Sequence, residues 1–397
     1  MANSADFEFS LVWNSRIARH TERLFLPALN PQVDRFPAEL ASRFQRAPAG
    51  DWVGHVFAPG ELVPVRGDTD VREFQVKWLP TSFRGQSLDW CAGRFYPRAL
   101  LARFDAISEQ DFRPFRVLEV ERGRLLADFS HPLAGRELLL EGRILAAAAD
   151  RLAPPDGGRD VAAQVTQNGP GMQASLENHR EAPLADADFA RVDEQPDADF
   201  YAQPRLVYHV DTTAAANVAA LYGRLLASGM RVLDLMSSWD SHVPEHLDLE
   251  VIGLGMNAAE LERNARLSQR LVQDLNAQPG LAFPRAAFDA VICALSVEYL
   301  THPQAVFAEV ARVLRPGGLF INLVSERWFP PKVIDLWTRL HPFERQGLVL
   351  RYYRDCGRFT DLQTESVRGL PRPPDDRYAD RLAHSDPVYG VWGTLAG

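Results

Sequence analysis

The sequence predicts an α/β protein, with a doubly wound and largely parallel sheet in its second half and a β-rich region before it. Three observations carry this prediction. From residue 201 onward, apolar runs of strand length alternate with stretches of helical spacing, the pattern of a parallel sheet wrapped by helices. The run FDAVICALS, at 288–296, is almost continuously apolar, as in a strand covered on both faces. The residues before position 153 instead carry short apolar runs broken by Gly, Pro and polar turns.

In the N-terminal region, 74–78 and 115–120 alternate apolar and polar residues as half-buried strands do. Glu121-Arg122-Gly123 is the turn after the second of these, and 125–128 and 137–144 read as further strands. Residues 1–152 are therefore expected to form a β-rich, antiparallel accessory domain. Between 153 and 204 the composition changes: APPDGGRD and NGPGMQ are turn-rich, and EAPLADADFARVDEQPDADF is acidic. Such composition fits a linker. Met172, Phe189 and Phe200 are apolar anchors that a free linker does not need, so a docking strap is the other reading.

Residues 205–397 carry the α/β pattern. An Ala/Leu-rich helix is expected over 212–228, then strands over 231–235 and 250–254. A helix over 258–266 follows, with Asn257 as its N-cap. Strands over 270–274 and 288–296 come next, and an amphipathic helix over 303–314. Pro316-Gly317-Gly318 stops that helix, and 319–324 is a fifth strand. Sheets of this kind bind ligands beyond the carboxyl ends of their strands. The first such end is VLDLMSSWDSHVP, in which an apolar strand reaches Asp234 and turns without a single glycine.

The bulk properties exclude several classes. The chain has 397 residues, 46% hydrophobic and 24% charged, which is ordinary for a globular protein with room for two or three domains. Its net charge of −9 argues against nucleic acid as a partner, because that binding relies on a basic face. No apolar stretch approaches the roughly 20 residues that span a bilayer, and the N-terminus lacks a basic start followed by an apolar run. Cys91, Cys293 and Cys356 form no CxxC pair. A cytoplasmic protein with reduced thiols, without membrane or nucleic-acid partners, is therefore expected. A homo-oligomer is left open. His242-Val-Pro-Glu-His246 imitates a zinc-protease signature, but Pro244 breaks the helix that would place both histidines on one face, so no metal site is expected.

With these elements in place, FDAVICALSVEYLTHPQAVFAEVARVLRPGGLFINLVSERWF (288–329) resembles the strand-four to strand-five block of class I S-adenosylmethionine-dependent methyltransferases. The closing DPVYGVWGT resembles that family's last strand. The resemblance covers about 206–397 and implies a Rossmann-like methyltransferase sheet with S-adenosyl-L-methionine as cofactor. Asp234 matches the acid of the first motif, while the three glycine positions fall on Met236, Ser238 and Asp240. The ribose-binding acid at the end of strand two falls on Gly255. Four successive strand ends nevertheless keep polar groups suited to a cofactor, which favours a rewritten site over a lost one.

The cofactor residues so implied are Asp234, Met236, Ser237, Ser238, Asp240, Gly255, Asn257, Asp274, Leu275, Asn276 and Ser296, with Arg205 for the methionine carboxylate. His209 and Tyr299 are the catalytic candidates, and Tyr201, Tyr208 and the segment Arg327, Trp328 and Phe329 the candidates for acceptor contact. In the N-terminal region, VLEVERGRLLADFSHPLAGRELLLEGRIL (117–145), and Asp128 to Gly135 above all, resembles the later half of an FKBP-type prolyl isomerase. The acceptor implied is a small molecule. The absence of an evident acid–His pair after strand four points to a thiol or sulfide, which needs little help from a base. A protein or larger metabolite gripped by the N-terminal domain is one alternative, and a non-catalytic binding scaffold another.

Overall fold

The computed structural model describes residues 4–83, 85–104, 107–147 and 158–397. The chain divides into two units, the first comprising Met1–Ser15 and Phe25–Leu184, the second Arg16–Leu24 and Ala185–Gly397.

The strands of the second unit are β1 (Arg231–Leu235), β2 (Glu250–Gly255), β3 (Leu267–Val272), β4 (Phe288–Ala294), β5 (Leu314–Val324), β6 (Phe359–Arg368) and β7 (Val388–Leu395). They lie in the order β3-β2-β1-β4-β5-β7-β6, and residues 18–24 run parallel beside β6. β3, β2, β1, β4 and β5 are mutually parallel, whereas β7 enters antiparallel between β5 and β6. The chain thus starts in the middle of the sheet at β1, winds outward to β3, and returns to β4 on the other side. That reversal leaves a crevice beyond the carboxyl ends of β1 and β4.

The helices packed with this sheet include α1 (Thr212–Leu225), α2 (Ala258–Arg263), α3 (Pro303–Val313), α4 (Asp335–Arg339) and α5 (Pro342–Cys356). α1 buries Val218, Leu221 and Tyr222 in a core with Val232, Val251, Ile292 and Ile321. α3 and α5 meet β5 through rings: Phe307 lies 4.9 Å from Phe320 and 5.1 Å from Tyr353. The Tyr353 hydroxyl donates to the Phe320 carbonyl (2.8 Å), so its buried polar end is satisfied. No helix among the described residues is long and apolar enough to cross a membrane.

Boundaries shift where the edge of the sheet decides. The third strand is Leu267–Val272, not 270–274, because the buried Leu267 pairs with Val251 and Asp274 already caps the following turn. Its edge position leaves several side chains exposed, so it lacks the apolar run that marks a central strand. α2 stops at Arg263, since the side chain of the next residue, Asn264, bonds to the first turn. β5 begins at Leu314, and Gly317 takes φ +80° in its opening turn.

Residues 185–204 pack within the second unit. The Arg191 guanidinium donates to both oxygens of Asp197 (2.7 and 2.9 Å), and the Lys332 ammonium, fully buried, donates to the carbonyls of Asp193 and Gln195. The break between units falls at 184/185, and Lys332, which also pairs with the carboxylates of Asp193 (3.2 Å) and Asp197 (3.1 Å), holds the acidic stretch to the second unit.

In the first unit Ala5–Asn14 pairs antiparallel with Leu138–Ala147, which pairs antiparallel with Val53–Phe57. A second sheet orders Val71–Gln75, Arg124–Asp128, Pro114–Glu121 and Phe95–Pro97. The strand expected at 74–78 ends at Gln75, where its partner strand begins, and Val76–Trp78 turns away. Trp90, Tyr96, Phe115 and Phe129 pack ring on ring inside this sheet's core. In the turn quoted for the isomerase resemblance, His131 Nδ1 accepts from the Leu133 amide (3.1 Å). Burial and the nearby Arg98 push that imidazole down to about 4, so it is neutral.

Candidate functional site

The glycine-free turn is built on a buried acid. Asp234, at the end of β1, accepts on Oδ2 from the Ser237 hydroxyl (2.5 Å) and the Ser241 hydroxyl (2.6 Å). Burial raises its pKa to about 6, and the two hydroxyls hold it back from rising further. Met236 takes φ +58°, the left-handed backbone that a glycine adopts freely. The turn then leans on β2: the Ser237 amide donates to the Leu254 carbonyl (2.8 Å), and a Cβ added at Gly255 would stand 2.1 Å from the Ser237 carbonyl oxygen. With this turn in place, Gly255 cannot be an acid. The missing glycines and the missing strand-two carboxylate are thus two sides of one change.

The neighbouring ends complete a pocket. Asn257 caps α2 by accepting from the amides of Ala259 and Glu260, and its amide donates to the carbonyls of Tyr201 (2.8 Å) and Ala202 (3.1 Å). Glu260 accepts from the Ser238 hydroxyl (2.6 Å) and from the Arg205 amide (2.6 Å). Asn257 and Glu260 together hold residues 201–205 against the pocket. The Arg205 guanidinium stacks on Phe200 (4.5 Å) and Phe329 (5.1 Å), and its Nη1 is buried without a hydrogen-bond partner among the described residues.

Beyond β3, Asp274 accepts from the amides of Asn276 and Ala277. Asn276 donates to Asp197 and the Tyr299 carbonyl (2.9 Å each) and accepts from Thr301, so it ties the ends of β3 and β4 together. Burial pushes the Asp197 carboxyl up, but Asn276, Arg191 and Lys332 outweigh it and hold the group below its ordinary value. After β4, Ser296 donates to the Ala294 carbonyl (2.9 Å), and the Tyr299 hydroxyl accepts from the Phe329 amide (2.9 Å). Burial pushes the Tyr299 phenol well above its usual range. His209 packs edge-on to Phe329 at 5.2 Å, and burial lowers its pKa. Its imidazole is therefore neutral at physiological pH.

All twelve cofactor candidates line this one pocket, as do Tyr201, His209 and Tyr299. Three candidates lie elsewhere. Tyr208 is exposed and packs on Trp239 at 4.7 Å. Arg327 is drawn away by Asp386, to which its Nε donates at 3.1 Å. Trp328 lies under the Arg345 guanidinium at 4.3 Å. Phe329 lines the pocket too, and so do Asp197, His242 and Glu260, which the sequence reading does not assign to it. His242 does so through the turn at Asp240, whose carboxylate accepts the His242 amide (2.8 Å).

Comparison with known proteins agrees with this geometry. Residues 239–322 match the family described as a methyltransferase domain. That match falls within the second unit, across the doubly wound α/β sheet described above. Sterol 24-C-methyltransferase erg6 of Aspergillus fumigatus is 31% identical over 104 residues, 24% of this chain and 28% of that protein. The ubiquinone/menaquinone biosynthesis C-methyltransferase UbiE of Bartonella henselae is 28% identical over 141 residues, 35% of this chain and 52% of that protein. The chain thus spans about half or less of the length of these curated relatives. Among solved structures, a phosphoethanolamine N-methyltransferase of Haemonchus contortus aligns at 13% identity over 46% of this chain and 52% of its own, with a TM-score of 0.33. A SAM-dependent methyltransferase from Aquifex aeolicus aligns at 16% over 47% and 92%, with a TM-score of 0.31.

Proposed function

We propose that this protein is an S-adenosylmethionine-dependent methyltransferase acting on a small acceptor. One observation carries the reading. The ends of β1, β2, β3 and β4 converge on one pocket at the point where the strand order reverses. The residues fit the cofactor chemically. The unpartnered Nη1 of Arg205 is a buried donor suited to the methionine carboxylate. Asp274 and Leu275 are suited to the adenine edge, and the hydroxyls of Ser237 and Ser238 to the polar groups nearer β1.

When bound, the cofactor's sulfonium supplies an already activated methyl group and leaves as a neutral thioether. The protein's own part is alignment and exclusion of water. Phe200, Tyr201, Tyr299 and Phe329 pack around one end of the pocket and keep it apolar. The neutral ring of His209, which lines the pocket, is suited to take a proton from an acceptor. No carboxylate hydrogen-bonds to His209 among the described residues, and an unassisted imidazole suits a nucleophile that ionises readily. A thiol or sulfide is therefore the acceptor class we favour. An acceptor carbon is the second reading, supported by the names of the two curated relatives.

The test is methyl transfer from labelled cofactor to a panel of sulfide, thiols, phenols, amines and activated carbon acids. Turnover of sulfide or thiols supports the favoured class, and turnover confined to the others removes it. Stabilisation by S-adenosylhomocysteine, roughly 2.7 kcal/mol at one hundred times its dissociation constant, checks the cofactor step separately. Binding without turnover of any acceptor supports the scaffold reading instead.

A further inference from the structure

We propose that Glu260 is the carboxylate that receives the vicinal ribose hydroxyls of the nucleoside, in place of an acid that position 255 cannot hold; this rests on the cofactor reading above. The Ser237 carbonyl fills the space beside Gly255, so position 255 can carry no side chain into the pocket. Glu260 stands five residues further on, in the first turn of α2, and lines the same pocket. Helical side chains lean toward the N-terminus of their helix, which directs this one back toward Gly255.

Asp234 and Asp197, two other carboxylates of the pocket, are committed. Asp234 is buried against two serine hydroxyls. Asp197 is held by Arg191, Lys332 and Asn276. Asp274 and Asp240 accept amides of their own turns on Oδ1 and stand after β3 and β1, whereas Glu260 alone of these acids follows the end of β2. Glu260 is engaged differently. Its partners are a hydroxyl that can rotate and one backbone amide, one on each oxygen, so each oxygen keeps a free lone pair. A vicinal diol offers two O–H donors at fixed spacing, and a carboxylate is the matching two-oxygen acceptor. Because Glu260 also holds the Arg205 amide, the same group joins the diol to the segment that carries the Arg205 guanidinium.

The experiment measures binding of S-adenosylhomocysteine, and of its analogue lacking both ribose hydroxyls, to the full chain and to Glu260→Gln. Wild type is expected to prefer the parent compound by about tenfold to a hundredfold, the worth of hydrogen bonds to a charged acceptor. The preference should fall below about threefold in Glu260→Gln, and Glu260→Asp, which keeps the charge but draws it back, should lie between. A thermal melt of each variant separates loss of fold from loss of recognition. Undiminished preference in both variants overturns the role of Glu260 alone. Failure of folded wild type to bind S-adenosylhomocysteine overturns the cofactor reading as well.

Discussion

Two turns of the second unit solve the same geometrical problem with opposite chemistry. The turn that opens β5 uses glycine: Gly317 takes φ +80° with open space around it, and Gly318 fits between the carbonyls of Asp289 and Arg315. The turn after β1 puts Met236 at φ +58° and has no glycine. A left-handed methionine costs about 1–2 kcal/mol, and here Asp234 offsets that cost by gathering Ser237 and Ser241 beneath the turn. The glycine turn is set by local backbone freedom. The other is set by buried tertiary hydrogen bonds, so it depends on its surroundings, Gly255 above all.

That difference can be broken at four places, taken from the largest effect to the smallest. Gly255→Asp restores the missing acid but drives its Cβ into the Ser237 carbonyl. We expect a loss of at least about 3 kcal/mol and no cofactor binding, measured by denaturant unfolding and calorimetry. Asp234→Ala removes the acceptor of two serine hydroxyls and should cost about 2–3 kcal/mol in the same unfolding experiment.

The third prediction compares two buried acids. Asp234 has two hydroxyl partners and a pKa near 6, while Glu298, after β4, has no hydrogen-bond partner for either oxygen among the described residues and is pushed by burial to about 8. Both values lie above those of the unfolded chain, so each acid favours the fold at low pH and loses that contribution as pH rises through its folded pKa. For Glu298 the loss runs from about pH 4.5 to about pH 8. Glu298→Gln should therefore match wild type near pH 5 and exceed its stability at pH 9, as read from melting curves across that range. The smallest effect is a reciprocal pair. Gly317→Ala should cost about 1 kcal/mol, whereas Met236→Gly should gain up to about 1 kcal/mol, since relief of strain exceeds the added chain entropy.

The same contrast explains what the sequence makes legible. β4, α3 and the glycine turn follow from local pattern: an unbroken apolar run, an amphipathic stretch and a Pro-Gly-Gly stop. Asn257 as a cap follows too, because capping is decided within three residues. The strand Ala5–Asn14 is visible in the alternation of Phe7, Phe9, Leu11 and Trp13, all buried, although the reading along the chain gives it no strand. Glu260 is not legible as a pocket residue, because a glutamate in a first helical turn reads as an ordinary dipole partner. Arg327 and Trp328 are adjacent to Phe329 in sequence but are drawn off by Asp386 and Arg345, contacts that no local pattern announces.

The most direct test of the central claim, that the glycine-free turn is a cofactor site, is calorimetric titration of S-adenosylmethionine into wild type and Asp234→Ala. The account predicts micromolar binding to wild type and none to the variant, with both melting cooperatively. Folded wild type that takes up no cofactor, or a variant that binds as tightly as wild type, would contradict it.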